Sequence, residues 1–281
     1  MKIAVLSGKG GTGKTLISTN LANVIKERKH VELLDCDVEE PNSSLFFNIK
    51  FEKEVKVNLD IPLVDNEICN KCGICAQKCQ FVAINSFPTG TLVFETLCHG
   101  CSVCSDVCPV NAIKTEEKDI GIIKYGAYKN INFGEGVLNI GKPSGVKIIK
   151  KLKHFSKNLD IQILDSPPGA SCSVVETLKN VDFALLVTEP TPFGLHDLKA
   201  VQEIVSLMEI EHAIVINKYE SEYEYKEMNQ FIKEKNLKVI QKIPFSNEIA
   251  KIYSKSELIS ENEKYKKIFE EIAEKVGVYN V

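Results

Sequence analysis

The 281-residue sequence has a single arginine, Arg28, at the polar end of its first helical pattern. An arginine finger from this chain is therefore not expected. Charge built up in any phosphoryl transfer would have to be met by lysine and Mg²⁺. No apolar run approaches the length of a membrane span, so no membrane insertion is expected. The net charge is only −3, and bulk electrostatics give no reason to expect nucleic-acid binding. The sequence opens directly on a strand pattern, so a signal peptide is not expected and the expected location is cytoplasmic. Hydrophobic content of 44% and charged content of 26% are ordinary for a soluble protein. The length allows one substantial core and a small second unit.

The rest is organised around Gly8-Lys9-Gly10-Gly11-Thr12-Gly13-Lys14-Thr15. The apolar run Ile3-Ala4-Val5-Leu6 precedes it. Leu16, Ile17, Leu21, Val24 and Ile25 follow at helical spacing. Strand, glycine-rich turn and helix is the context of a P-loop, G-x-x-x-x-G-K-[ST]. Its glycines let backbone N–H groups face phosphate oxygens at the positive end of a helix dipole. Lys14 would reach the β- and γ-phosphates, and the Thr15 hydroxyl would bind Mg²⁺. The bland alternative is a glycine-rich turn that binds nothing.

Lys9 makes the motif more specific. The loop resembles the deviant Walker A sequence, KGGTGKT, of the MinD/Mrp class of P-loop ATPases. The resemblance implies that Lys9 crosses a dimer interface to phosphate on the partner's nucleotide, in an ATP-dependent homodimer. It also covers Asp35-Cys36-Asp37, at the end of a strand pattern from His30 to Leu34. There Asp37 would orient the attacking water, and Asp35 would help hold Mg²⁺ and the loop; a turn cap is the alternative for Asp35. Cys36 reads as a small buried residue. Asp165, closing the strand pattern Ile161–Leu164, would be Walker B. Ser166-Pro167-Pro168-Gly169 resembles the second switch, with the Gly169 N–H near the γ-phosphate.

Eight of the ten cysteines lie between Cys69 and Cys108. In a reducing compartment such a cluster reads as metal binding. The segment 69–84, CNKCGICAQKCQFVAI, aligns without a gap on 98–113, CHGCSVCSDVCPVNAI. The spacing resembles bacterial ferredoxins with two [4Fe-4S] clusters. That resemblance implies one cluster on Cys69, Cys72, Cys75 and Cys108, and a second on Cys98, Cys101, Cys104 and Cys79. A pair of zinc sites is the alternative; zinc ribbons use paired C-x₂-C units instead. Gln80 stands where the ferredoxin pattern has proline, which Pro109 keeps. His99 reads as a neighbour of the cluster or a surface residue, not a ligand.

Val55–Leu59, Gly121–Lys124, Tyr128–Ile131 and Phe183–Val187 read as strands, and a helix is expected to run from the Pro192 region to about Met208. Lys142–Lys157 reads as a basic amphipathic helix, with a solvated face or a partner-docking surface as its two readings. Cys172 reads as a helix-start residue. The alternative is a functional thiol, as in the nitrogenase iron protein, a relative with this ATPase fold. By the resemblance, Asn217 contacts the base. Its run with Lys218 is close to the N-K-x-D of GTPases, so guanine stays open, with adenine favoured. Pro244 and the Phe245-Ser246 loop flank the base. Tyr265, Ile268, Phe269, Ile272 and Val276 form a helical stripe expected to pack on the core, and a membrane-targeting helix of the MinD kind is not expected after it.

The expected fold is α/β: a mostly parallel, doubly wound P-loop NTPase sheet (1–62 and 117–281) with an inserted ferredoxin-like α+β domain (63–116). The expected function is an ATPase, with ATP, Mg²⁺ and two [4Fe-4S] clusters, gating electron transfer to a redox partner. A carrier that delivers iron–sulfur or another metal cofactor to apo-metalloproteins is the alternative. A MinD/ParA-type positioning ATPase leaves the cysteines without a role.

Overall fold

The computed structural model describes residues 1–156, 159–220 and 225–280. The strands in chain order are β1 (Lys2–Leu6), β2 (Val31–Asp35), β3 (Lys50–Val64), β4 (Ile84–Phe87), β5 (Gly90–Val93), β6 (Ile113–Tyr128), β7 (Ile131–Leu138), β8 (Ile161–Asp165), β9 (Phe183–Thr188), β10 (Glu211–Tyr219) and β11 (Val239–Pro244). The helices are α1 (Lys14–Ile25), α2 (Ile74–Lys78), α3 (Val103–Asp106), α4 (Val146–His154), α5 (Cys172–Leu178), α6 (Pro192–Leu207), α7 (Lys226–Glu234), α8 (Asn247–Tyr253) and α9 (Glu263–Val276).

Nine strands form one sheet in the order β11-β10-β9-β1-β8-β2-β7-β6-β3. The pairings from β11 through to β7 are parallel. The last two strands, β6 and β3, are added antiparallel. β1, β2, β8 and β9 are buried nearly throughout, as the middle of a sheet covered on both faces must be. One apolar layer joins α1 and α9 to the sheet; the other joins α4, α5, α6 and α7 to its opposite face. The stripe Tyr265, Phe269, Ile272 and Val276 lies in the first layer.

Three local expectations are corrected. Val55–Leu59 is only the middle of β3, a 15-residue strand. Tyr128–Ile131 is not one strand: Tyr128 ends β6, Lys129 (φ 51°) and Asn130 make the turn, and Ile131 opens β7. The strand beyond it, β7, contains Gly134 and Gly136, which weaken any strand pattern. Their lack of a side chain is a packing requirement: a Cβ on Gly136 would lie 2.6 Å from Ile148 and 2.7 Å from Val38. The basic helix begins at Val146, after the Pro143-Ser144-Gly145 turn, and Lys157 lies outside the described residues.

β3 and β6 form a long hairpin that continues past the sheet, still paired at Val64↔Ile113. The two cysteine runs sit at its far end, with the short helices α2 and α3 and the two-stranded β4–β5 sheet. The expected boundaries at 62/63 and 116/117 fall inside these two strands.

Candidate functional site

The C-terminal ends of the parallel strands converge on one edge, where open α/β sheets bind ligands. β1 delivers the 8–15 loop there, β2 delivers Asp35 and Asp37, β8 Asp165, β9 Glu189, β10 Asn217 and β11 Pro244. A cavity of ≈ 400 Å³ opens between the loop and α8. Gly10, Gly11, Gly13, Lys14 and Thr15 form its floor. Pro244, Phe245, Ser246 and Tyr253 form the far wall, with Asp37 at the rim.

The loop's glycines have separate reasons. Gly11 (φ 79°) and Gly13 (φ 99°) take the left-handed conformation that costs glycine least. Gly13 is also pressed by Asn217, whose Nδ2 would lie 2.3 Å from an added Cβ. Gly8 has α6 against it, with the Asp197 backbone and Cβ at 2.4 Å from such a Cβ.

The carboxylates differ in what they hold. Asp35 is fully buried and accepts backbone N–H bonds from Asp37 (3.1 Å), Asn42 (2.9 Å) and Ser43 (2.9 Å). It therefore pins the 36–43 loop, and both its oxygens are engaged there. Asp165 accepts the hydroxyls of Ser18 (3.0 Å) and Ser43 (2.9 Å). Burial raises the pKa of both Asp35 and Asp165, and Asp165 adds to the rise at Asp35. Burial pushes Asp37 up to about 6, against the opposing pull of Lys14. Lys14 is itself lowered by burial, partly offset by Asp165, Asp37 and Asp35. One buried ammonium among three carboxylates is an arrangement suited to a magnesium-bound polyphosphate.

Asn217 and Gly169 are placed in ways the sequence did not foretell. The Asn217 side chain donates to the Thr12 carbonyl at 2.7 Å, bracing the loop. The Gly169 N–H donates to the Ser7 carbonyl at 3.0 Å, tying the second switch to the loop's start. Glu189 is a further residue that sequence reasoning missed. Its carboxylate joins Lys9 (3.4 Å) to Lys218 (2.6 Å), and Lys218 also donates to the Gly11 carbonyl at 3.0 Å. Nothing in the run Thr188–Phe193 marks Glu189 as a partner of residue 9; only the adjacency of β9 to β1 does.

The two cysteine runs fold alike. Left-handed residues recur at matching places: Lys71 and Gly100, Gly73 and Ser102, Val82 and Asn111. The N–H of Ala83 donates to Cys79 Sγ (3.3 Å), as that of Ala112 does to Cys108 Sγ (3.2 Å). Cys79, from the first run, shares a small cavity with Cys98, Cys101 and Cys104 of the second. Burial, then Cys98 and Cys101, push the Cys104 thiol up to about 11. Cys75 is raised by burial, then by Cys69 and Cys72. Cys108 packs on the same small apolar cluster as Cys75. Among the described residues, no three His, Cys, Asp or Glu side chains are arranged to hold a single metal ion. The thiols of a [4Fe-4S] site bind four separate irons at the corners of a cube, so a wider set is what they require. Thiols gathered four and three together, with backbone N–H groups on their sulfurs, fit such a group. His99 stacks on Phe81 (centroids 3.7 Å apart). Cys36 is fully buried, with its pKa raised by burial, and Cys172 is exposed.

Residues 3–259 match the family described as the CobQ/CobB/MinD/ParA nucleotide binding domain. The chain is 36% identical to the uncharacterized protein MJ0578 of Methanocaldococcus jannaschii, over 98% of this chain and 96% of that one. It is 26% identical to the iron-sulfur cluster carrier protein of Pyrococcus horikoshii, over 76% of this chain and 60% of that protein. Among solved structures, the septum site-determining protein MinD with Mg-ADP from P. horikoshii superposes with a TM-score of 0.59 at 18% identity, covering 98% of this chain and 95% of that one.

Proposed function

Because the chain belongs to the CobQ/CobB/MinD/ParA nucleotide-binding family and is a P-loop ATPase, we propose that it couples MgATP binding and hydrolysis to two [4Fe-4S] clusters, as an ATP-gated electron donor. Lys14 and the 10–15 backbone bind the β- and γ-phosphates, Thr15 the Mg²⁺, and Asp165, as Walker B, reaches that ion through water. Asp37 orients the attacking water. Pro244 and the Phe245-Ser246 loop flank the base. Lys9 meets phosphate across an ATP-dependent homodimer, and to do so it exchanges Glu189, its partner within the subunit. Cys69, Cys72, Cys75 and Cys108 hold one cluster; Cys98, Cys101, Cys104 and Cys79 hold the other. When bound, each cluster supplies one-electron chemistry at low potential, about −400 mV for ferredoxin-type centres.

The observation that carries this reading is the meeting of Cys79 with Cys98, Cys101 and Cys104 around one cavity. Cross-pairing of the two runs is the ligand sharing of a two-cluster ferredoxin, and three-cysteine runs differ from the paired C-x₂-C units of zinc ribbons. The test is an anaerobic redox titration followed by EPR, with ADP and then with a non-hydrolysable MgATP analogue. A nucleotide-dependent shift in potential is expected; an unchanged potential removes direct gating.

A second reading, delivery of clusters to apo-proteins, is favoured by the likeness to the P. horikoshii iron-sulfur cluster carrier. Transfer of iron and sulfide to an apo-ferredoxin on addition of ATP would select it. Retention of the clusters under the same conditions selects the electron donor.

A further inference from the structure

A second and larger cleft adjoins the loop that carries Cys101. Its volume is ≈ 1210 Å³, above the range of about 300–1,000 Å³ that suits a small molecule. One wall is α4 and α5; the other is β3 with the loop from His99 to Cys101. That loop is pressed on β3, since a Cβ on Gly100 would meet Leu59 at 2.5 Å. Cys101 therefore faces both this cleft and the cavity it shares with Cys79.

The α4 wall is positive. Lys150 makes no hydrogen bond or ion pair among the described residues. Lys151 donates to the Lys56 carbonyl at 2.6 Å, and Lys153 to the carbonyls of Glu176, Thr177 and Lys179. Those partners are backbone dipoles, so three ammonium charges stand with no carboxylate bound to them. The carboxylates nearby are engaged elsewhere, Asp60 by Lys147 (2.8 Å) and Glu176 by Lys179 (2.5 Å). Beside this charge lies apolar surface. Phe81 and Phe155 on the cleft wall are both exposed large apolar side chains. An exposed apolar patch rimmed by polar groups marks a protein contact. Weak electron-transfer encounters use small interfaces of this kind, steered by charge.

We propose that the cleft is the docking surface for a small acidic redox protein, seated by the α4 lysines and the Phe81 edge so that its own centre lies against the Cys101 loop. The proposal rests on Cys79, Cys98, Cys101 and Cys104 being cluster ligands. In the exchange the cysteine-bound centre loses one electron and the partner's oxidised centre gains it; no atom moves between them. A nucleic acid would also meet lysine, but it would meet the apolar edge and a chain of net charge −3 as well.

The experiment uses the full chain, purified without oxygen, with acidic flavodoxin and basic cytochrome c as binding probes across a series of salt concentrations. Flavodoxin is expected to bind at low salt, and cytochrome c is not. Lys150→Glu should weaken flavodoxin at least threefold, and Lys150→Glu with Lys151→Glu at least tenfold with a shallower salt dependence. Lys226→Glu, on α7, should change its affinity less than twofold. Equal loss in Lys226→Glu, no loss in the α4 variants, or tighter lysine-dependent binding of a single-stranded oligonucleotide overturns the proposal. Among the described residues Lys150 has no partner to lose, so that variant separates docking from folding. Iron and sulfide are assayed on the same samples. Clusters present with no α4 effect refute docking alone; clusters absent refute the cluster reading and with it the redox partner.

Discussion

Lys14 illustrates how a single charge is held for use. Burial lowers its pKa, and three carboxylates around it oppose that shift. Lys14→Ala removes the buried ammonium from the cavity floor, and nucleotide binding measured by calorimetry should be lost; surviving tight binding would unseat the loop as the phosphate site. Asp37 gives a pH-dependent test. Its folded pKa is raised to about 6, from about 3.9 in an unfolded chain. A raised carboxyl stabilises the fold when protonated, and that contribution is lost as pH rises through the folded value. Asp37→Asn should therefore raise the melting temperature of the nucleotide-free protein at pH 8, with the gain vanishing near about pH 4. A gain that is the same at both pH values would show that Asp37 is not the titrating group. Asn217→Ala leaves the Thr12 carbonyl without its donor. Nucleotide affinity should fall about tenfold, ~1.4 kcal/mol; titration with a fluorescent ATP analogue reads it directly.

At the scale of elements, close approach is what sets the positions of helices around the sheet. α4 reaches β7 because Gly136 leaves room for Ile148, and Val38 fills the same gap from the β2 end. Gly136→Ala should cost about 1–3 kcal/mol as overpacking, visible as a lower urea midpoint. An unchanged midpoint would mean that the two side chains rotate away freely. α6 is seated by the same means on Gly8, so the element that follows Glu189 is fixed against the loop it serves. The β3–β6 hairpin is the element that joins the nucleotide-binding sheet to the cysteine runs. It leaves the ATPase sheet beside β7 and ends at Val64 and Ile113, where the cysteine runs begin. β2, where Asp35 gathers the 36–43 loop, is paired with β7 through five register pairs, and β7 with β6 of the hairpin.

For the whole molecule, the proposed dimer and the proposed clusters are separately measurable. Lys9→Ala should keep nucleotide binding but lose hydrolysis and ATP-driven dimerisation, followed by light scattering. Turnover equal to the unaltered protein would remove the crossing role of Lys9. Protein purified without oxygen should hold about eight iron and eight sulfide per chain. Stoichiometric zinc without sulfide would overturn the cluster assignment while leaving the nucleotide site intact.

The P-loop was legible because local rules suffice for it: apolar strand, four glycines, lysine and an amphipathic helix are all contiguous. Asp35, Asp37 and Asp165 could be found as strand-end carboxylates, since β-strands of a buried sheet announce themselves by unbroken apolar runs. The eightfold cysteine pattern was equally plain in the sequence, with its pairing left to resemblance. Other features depended on which strands become neighbours. Glu189 reaches Lys9 only because β9 lies beside β1, and Asn217 reaches Thr12 only because β10 follows β9. β7 was hidden because Gly134 and Gly136 answer to the side chains of other elements, not to their own strand. The basic cleft was hidden for the same reason. Sequence shows lysines on a helix, but only tertiary packing decides that they line one cleft with Cys101.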